Sequence, residues 1–151
     1  AEYDANVLSA RIGTANRRIV SMFATLETGG FYSGTKRSAS LNFSMRARPG
    51  LIFYASSELN RVHLAEGDFS TRLYRLVGEL QASPYIALVN NFQYDSVSRV
   101  LGWQSRFRWI LTPGSDVYFV YTHNWLDDAT LSRFTTLDRR VASKLLYTHR
   151  F

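Results

Sequence analysis

Polar and apolar residues alternate along most of this chain, which is the pattern of strands with two unlike faces. The clearest stretch covers residues 38–47, where serine, asparagine and arginine alternate with alanine, leucine, phenylalanine and methionine. Residues 72–82 and 101–111 repeat the pattern, and there arginine and glutamate alternate with tyrosine, leucine and tryptophan. Helical periodicity is weak throughout, so the pattern predicts an all-β protein.

Turn-forming residues interrupt the alternation at short intervals. Tight turns are predicted at residues 14–16, 48–50, 83–84 and 112–115, and longer connections at 28–34, 64–70, 95–98 and 126–138. Short turns that alternate with longer loops are typical of an up-and-down barrel with its short turns on the periplasmic side.

The pattern predicts a transmembrane antiparallel up-and-down β-barrel of eight strands over residues 17–151. The predicted strands are residues 17–28, 35–47, 51–63, 71–82, 85–94, 99–111, 116–125 and 139–151. Residues 1–16 form an N-terminal segment that also alternates, so the strand number rises to nine or ten if this segment joins the sheet. An odd number conflicts with the even strand number of single-chain bacterial barrels.

Composition separates a membrane barrel from its alternatives. Aromatic residues make up 15% of the chain, and no stretch approaches the roughly 18 apolar residues of a transmembrane helix. A soluble barrel alternates equally well, but large aromatic side chains would crowd its small interior. We therefore expect the apolar face to meet lipid in a Gram-negative outer membrane.

The face opposite the aromatics carries charged side chains near the strand centres. We expect them to form a polar network in the barrel lumen, with Glu58 and Glu79 meeting arginines, because an unpaired carboxylate in a narrow lumen would lose its solvation. The members of this predicted network are Arg46, Glu58, Arg75, Glu79, Arg106, Arg108 and Lys144.

The end of the chain carries a candidate assembly signal. Leu145, Tyr147, His149 and Phe151 occupy every second position and so share one face of the predicted strand, and the sequence ends on an aromatic residue. This resembles the β-signal by which outer-membrane proteins are recognised by the barrel-assembly machinery, which is therefore an expected partner. An ordinary edge strand that ends on phenylalanine is the alternative.

Basic residues gather at the predicted outer end of the barrel, and the chain carries a net charge of +6. Lys36, Arg37, Arg61 and Arg72 are either solvated loop residues or contacts to the phosphates of lipopolysaccharide. Outer-membrane lipid and lipopolysaccharide are thus the expected partners. Nucleic acid is not expected, because the aromatic residues do not interleave with the basic ones as a stacking platform requires.

Few residues are arranged for chemistry. His63, Glu66, Asp68 and Ser70 could form an acid–base cluster of the kind found at the rim of small outer-membrane hydrolases, although solvated loops often have this composition. His63, His123 and His149 do not lie at metal-ligand spacing. We therefore expect no enzymatic activity, no catalytic residues, no cofactor and no metal.

Several segments resemble one known family. They are residues 94–99, 101–109, 113–121 and 144–151, together with the glycine-rich segment 29–34. These segments are similar to the C-terminal barrel of large proteobacterial outer-membrane proteins of unknown function whose N-terminal domain resembles a family 9 carbohydrate-binding module. The resemblance implies an outer-membrane barrel and supplies no catalytic residues, and the carbohydrate-binding part is absent from this sequence.

Three functions remain open from the sequence. The first is a structural or anchoring barrel, since an eight-stranded interior is filled by side chains and conducts little. The second is a fragment of a larger pore or export barrel. The third is a small outer-membrane lipid hydrolase that uses the His63 cluster.

Overall fold

The computed structural model describes residues 6–15 and 18–148, and within them the chain forms nine strands. The strands form one sheet in which each pairs antiparallel with the next along the chain. They are β1 (Val7–Gly13), β2 (Val20–Phe31), β3 (Gly34–Arg48), β4 (Leu51–Leu64), β5 (Gly67–Ser83), β6 (Ile86–Asp95), β7 (Val100–Thr112), β8 (Ser115–Asp128) and β9 (Arg133–Leu146).

The strand number corrects the prediction of eight. The N-terminal segment contributes β1, which pairs with β2 from Val7 opposite Gly29 to Gly13 opposite Phe23. This confirms the alternative in which that segment joins the sheet. The sheet is open between the described strands, with β1 at one edge and β9 at the other.

The predicted long loops are mostly strand. β2 and β3 are joined by Tyr32 and Ser33, and β4 and β5 by Ala65 and Glu66. The segment 126–138, predicted as a loop, contains the end of β8 and the start of β9, with a register shift beside Asn124. Polar composition misled the prediction, because backbone pairing continues wherever the two-residue period continues.

Two tight turns at one end of the sheet depend on glycine. Pro49–Gly50 joins β3 to β4 and Pro113–Gly114 joins β7 to β8. Gly50 has φ +77° and Gly114 has φ +88°, a region that residues with a Cβ rarely adopt. The preceding proline holds the ordinary negative φ of the first turn position. These turns set the register of two hairpins.

The strand register sorts the side chains onto two faces, because directly opposed residues share a face. One row across seven strands, which we take to define the apolar face, contains Met22, Phe43, Ala55, Leu76, Phe92, Trp103 and His123. The adjacent row, which defines the polar face, contains Phe23, Asn42, Ser56, Arg75, Gln93, Gly102 and Asn124. The predicted two-sided division of the strands is confirmed.

None of the described residues belongs to a helix long and apolar enough to span a membrane.

Candidate functional site

The apolar face is uncovered. No second layer of described structure packs on it, and large apolar side chains stand exposed from β1 to β9. Leu76, near the centre of the sheet, keeps 50% of its surface exposed. Others on this face with at least about 40% exposure include Leu8, Ile12, Val20, Met22, Leu26, Leu41, Leu59, Tyr74, Trp109, Phe119, Val141 and Leu145. An exposed patch of this extent marks an interaction surface.

The apolar positions form a band with a polar border. On β4 the apolar face runs from Leu51 to Leu59 and then meets Arg61 and His63. These nine residues match the roughly 9–11 residues of a tilted strand that crosses a bilayer. Trp109 lies toward one end of the band and Trp125 toward the other, and such positions are typical of interfacial aromatic residues.

The half of the apolar face on β6–β8 is filled by rings. Phe92 and Trp103 stack with centroids 5.6 Å apart, and Trp103 contacts Tyr121 edge-on at 5.2 Å. His123 continues the series and stacks on Trp125 at 3.7 Å. The indole Nε1 of Trp103 donates to Asn90 Oδ1 at 3.2 Å, so the polar atom of this ring is satisfied.

His123 is buried within this aromatic region, with 7% of its surface exposed. Arg139 Nε donates to its Nε2 at 3.3 Å, so Nε2 accepts and the ring proton of the neutral form lies on Nδ1, beside the Tyr121 hydroxyl. Thr136 also contacts Nε2 at 3.2 Å. These contacts hold the His123 ring within the sheet through neighbours on β8 and β9. The alternation of Tyr121, His123 and Trp125 was the sequence signal for its place on the apolar face.

The polar face is linked by side-chain hydrogen bonds. Ser38 donates to Asn60 Oδ1 at 2.6 Å, and the Asn60 amide donates to Thr71 at 3.2 Å and to Glu58 at 3.0 Å. These bonds connect β3, β4 and β5 across one face. Asparagine and hydroxyl residues, which the predicted charge network left out, make the links here because they stand directly opposite one another in the register.

All seven predicted lumen residues lie on the polar face. Their register neighbours place Arg46, Glu79 and Arg106 in one row, separated by Ile52 on β4 and Val89 on β6. The backbone of Glu79 is therefore two strand spacings, about 10 Å, from the backbones of Arg46 and Arg106. The polar face bears Lys144 opposite Tyr118.

The contacts within this predicted network differ in part from expectation. Glu58 accepts from Asn60 instead of an arginine, because its opposed residues are Ser40 and Leu73. The guanidinium of Arg75 donates to Asn91 at 3.0 Å, and that of Arg108 pairs with Asp116 at 3.0 Å. Arg75 and Glu79 line one depression of about 360 Å³.

The basic residues at the opposite end of the strands from the proline–glycine turns divide between the faces. Arg37 and Arg61 are directly opposed on the apolar face, and Arg72 lies on the same face opposite Leu59. Lys36 lies on the polar face, where its ammonium is 5.8 Å from the centre of the Phe31 ring. The four residues predicted to contact lipopolysaccharide therefore do not form one surface.

The predicted acid–base cluster separates into two pairs. His63 Nδ1 lies 2.7 Å from Asp68 across the β4–β5 hairpin, while Glu66 in the turn accepts a 2.8 Å hydrogen bond from Ser33. That bond lowers the pKa of Glu66 below its ordinary value of 4.5. Ser70 is opposed to Arg61 in the register. No described serine is hydrogen-bonded to His63, so the contact between nucleophile and base that a hydrolase needs is not formed.

Within the described ranges, no three His, Cys, Asp or Glu side chains are grouped so as to hold a metal ion. Of the predicted assembly signal, Leu145 lies on the apolar face of β9, opposite Val117. Tyr147 follows the strand and is 72% exposed. Phe151 and His149 lie outside the described residues.

No protein-family model matches the chain, and no curated protein is significantly similar to it. The resemblance to the large outer-membrane proteins therefore stays a prediction.

Proposed function

We propose that this chain forms part of the wall of an outer-membrane β-barrel, with a structural or anchoring role and no catalysis of its own. The apolar face would contact lipid and the polar face would line the lumen. The single observation that carries the proposal is the exposure of a continuous apolar band on one face of a fully paired sheet.

Water and lipid place different demands on that face. In water, an antiparallel sheet must cover its apolar face with a second layer. The described strands provide no such layer, while every strand interior is paired with a neighbour. Lipid removes the need for a cover and demands that backbone groups pair between strands, which the sheet achieves everywhere except at its two edges.

The polar face supports the same orientation. Its asparagine, serine, arginine and aspartate side chains bond to one another across strands, as Asn124 does to Asp138 at 2.7 Å. Among the described residues, no buried side-chain nitrogen or oxygen lacks a hydrogen-bond partner. Such a face suits a wet or side-chain-filled lumen.

The experiment exploits the absence of cysteine from the sequence. Two variants, Leu76→Cys and Arg75→Cys, each carry a single thiol. The two positions are neighbours on β5 and lie on opposite faces of the sheet. Each variant is labelled with a small fluorophore and reconstituted in vesicles. We expect a lipid-attached quencher to quench the label at position 76 and an aqueous quencher to act mainly on the label at position 75.

Equal quenching of the two labels by lipid would contradict the proposal, and so would a label at position 76 that only the aqueous quencher reaches. A third label at Ala65→Cys, in the β4–β5 turn, provides the exposed reference.

A second candidate, a segment of a larger pore or export barrel, is favoured by strand direction. Eight antiparallel pairings separate β1 from β9, so these two edge strands run in the same direction. Joining them directly would need a parallel pair. An all-antiparallel closure requires an odd number of further strands, from the same protein or from another chain.

Conductance tests this second candidate. In planar bilayers, a larger barrel should conduct ions, and Arg106→Glu on the polar face should shift selectivity toward cations. Arg18→Glu, outside the strands, serves as the control of equal charge change. A folded, inserted protein that does not conduct would exclude the pore and leave the anchoring role.

The family resemblance and the assembly signal fit both candidates. We expect deletion of Phe151 to reduce surface levels in a Gram-negative host more than it reduces refolding yield in detergent. Equal losses in both measurements would assign Phe151 a packing role.

A further inference from the structure

Two rows of side chains cross β1–β4 on the apolar face, at the end away from the proline–glycine turns. The outer row is Leu8, Thr28, Arg37 and Arg61, and the inner row is Ala10, Leu26, Ala39 and Leu59. The outer row thus changes from apolar to cationic across four strands. The inner row alternates small and large side chains.

The alternation in the inner row leaves a groove. Ala10 and Ala39 lie beside Leu26 and Leu59, and the space above them amounts to about 550 Å³. Arg37 and Arg61 line the same groove at its outer end. Its volume lies within the roughly 300–1,000 Å³ range of ligand sites. An apolar trough therefore ends at two guanidinium groups.

The two arginines are directly opposed, and Glu27, the acid that also lines the groove, belongs to the polar face opposite Ser38 and forms no ion pair with either of them. Directly opposed like charges destabilise a strand pair, yet none of the ion pairs between described residues involves Arg37 or Arg61. The nearest acid on the same face, Asp68, is 2.7 Å from His63. Arg72 lies next to Leu59 on the following strand and adds a third cation.

Three other arginines have local partners. Arg99, in the loop at this end of the sheet, lies 3.7 Å from Asp127, and at the middle of β9 Arg140 lies 3.9 Å from Asp138 while Arg139 donates to His123. The Arg37–Arg61 pair differs from them in both its isolation and its apolar groove. This difference points to an anionic ligand from outside the chain.

We propose that the groove on β1–β4 binds a phosphorylated lipid of the outer leaflet, with an acyl chain over Ala10 and Ala39 and a phosphate between Arg37 and Arg61. Guanidinium groups bind phosphate oxygens in a bidentate manner, and a phosphate would offset the repulsion between the two arginines. Arg72 contributes a further contact. Lys36 takes no part, because it lies on the other face. The inference rests on the proposed function, since it needs the apolar face to meet lipid.

The test uses the full chain in detergent micelles and counts bound lipid by native mass spectrometry. The probes are the phosphorylated lipid A moiety of lipopolysaccharide, the same lipid with its phosphates removed, and inorganic phosphate alone. Arg37→Gln/Arg61→Gln is compared with Arg18→Gln/Arg48→Gln, which removes equal charge at the opposite end of the sheet.

We expect Arg37→Gln/Arg61→Gln to weaken binding of the phosphorylated lipid by at least about tenfold, because the lost guanidinium groups donate charge-assisted hydrogen bonds to phosphate that glutamine does not replace. Binding of the dephosphorylated lipid should not change. Arg37→Lys/Arg61→Lys should restore part of the affinity. Ala39→Phe, which fills the groove, should weaken binding of both lipids.

Equal weakening by the two double variants would overturn the inference, because it would mean general charge attraction. Binding of inorganic phosphate as tight as that of the lipid would also overturn it, because the groove would then contribute nothing. The fluorophore at position 76 separates this failure from that of the proposed function. If lipid quenches that label while the arginine variants bind normally, only the lipid site is wrong.

Discussion

The two halves of the apolar face have different side chains and different surface shapes. On β6–β8, rings fill the surface, and Phe92, Trp103 and Tyr121 contact one another across strands. On β1–β4, alanine alternates with leucine and the surface is grooved around Ala10 and Ala39. Both halves have the same two-residue period, so period alone does not determine surface shape.

The ring contacts on β6–β8 favour a rigid surface, whereas the groove on β1–β4 favours binding of a ligand. Contacting rings restrict one another, and each ring pair adds about 0.5–1.5 kcal/mol beyond its burial. The row in which alanine alternates with leucine has fewer van der Waals contacts between side chains, and the short alanine side chains leave the groove open. We therefore expect the β6–β8 half to stabilise the sheet and the β1–β4 half to recognise lipid.

The largest expected effect on stability comes from placing a charge anywhere on the apolar face, in either half. Phe43→Arg places a charge in the apolar band, and on the proposal that this band faces lipid it should destabilise the protein by about 2–4 kcal/mol at the bilayer midplane. Asn42→Arg, one residue away on the polar face, should cost much less. Urea-induced unfolding in lipid vesicles measures both. Equal costs would mean that the two faces have the same solvent, against the membrane proposal.

The next effect should distinguish the halves. Trp103→Ala removes ring contacts with Phe92 and Tyr121, and at roughly 0.5–1.5 kcal/mol per pair we expect a loss of about 1–3 kcal/mol. Leu59→Ala on β4 removes an aliphatic side chain that borders open space. Its cost in the same unfolding assay should be smaller. A larger cost for Leu59 would reverse the proposed division between the halves.

A smaller effect is expected from filling the groove. Ala39→Leu extends a side chain into empty space and should change the free energy of unfolding by no more than about 0.5 kcal/mol. The same variant should reduce binding of phosphorylated lipid. A strongly destabilised Ala39→Leu protein would show that the groove is closed in the native sheet.

The smallest effect lies outside both halves, at the β4–β5 turn. The hydrogen bond from Ser33 lowers the pKa of Glu66 from 4.5, so Ser33→Ala should raise this pKa toward that value. A lowered folded-state pKa contributes stability that is present above pH 4.5 and is lost as the pH falls through the lowered pKa. The variant should weaken that acid dependence. Carbon-13 NMR titration of the Glu66 carboxyl measures the shift, and an unchanged pKa would assign the lowering to another cause.

Much of the sheet was predictable from the alternation of residues. The faces of Phe43, Leu76 and Trp103 agree with the register, and so do those of Arg75 and Glu79. The ends of the strands were harder to predict. Residues 126–138 were assigned to a loop because they are polar, whereas a register shift beside Asn124 lets β8 and β9 pair through most of that segment.

The candidate lipid site was predictable only as a group of basic residues. Arg37, Arg61 and Lys36 are all basic residues near strand ends. Lys36 lies on the other face because it directly precedes Arg37 and consecutive strand residues point to opposite faces. The groove had no sequence signal, since alanine at positions 10 and 39 becomes informative only when the two residues lie in one row.

The two faces follow from the order of residues alone, because side chains alternate along a strand whatever its neighbours are. Which residues become neighbours depends on how the strands pair. The register brings Arg37 opposite Arg61 and Trp103 opposite His123, which are 24 and 20 positions apart along the chain. Turn geometry and strand pairing set that register, and a shift of one residue would have moved these side chains to the other face.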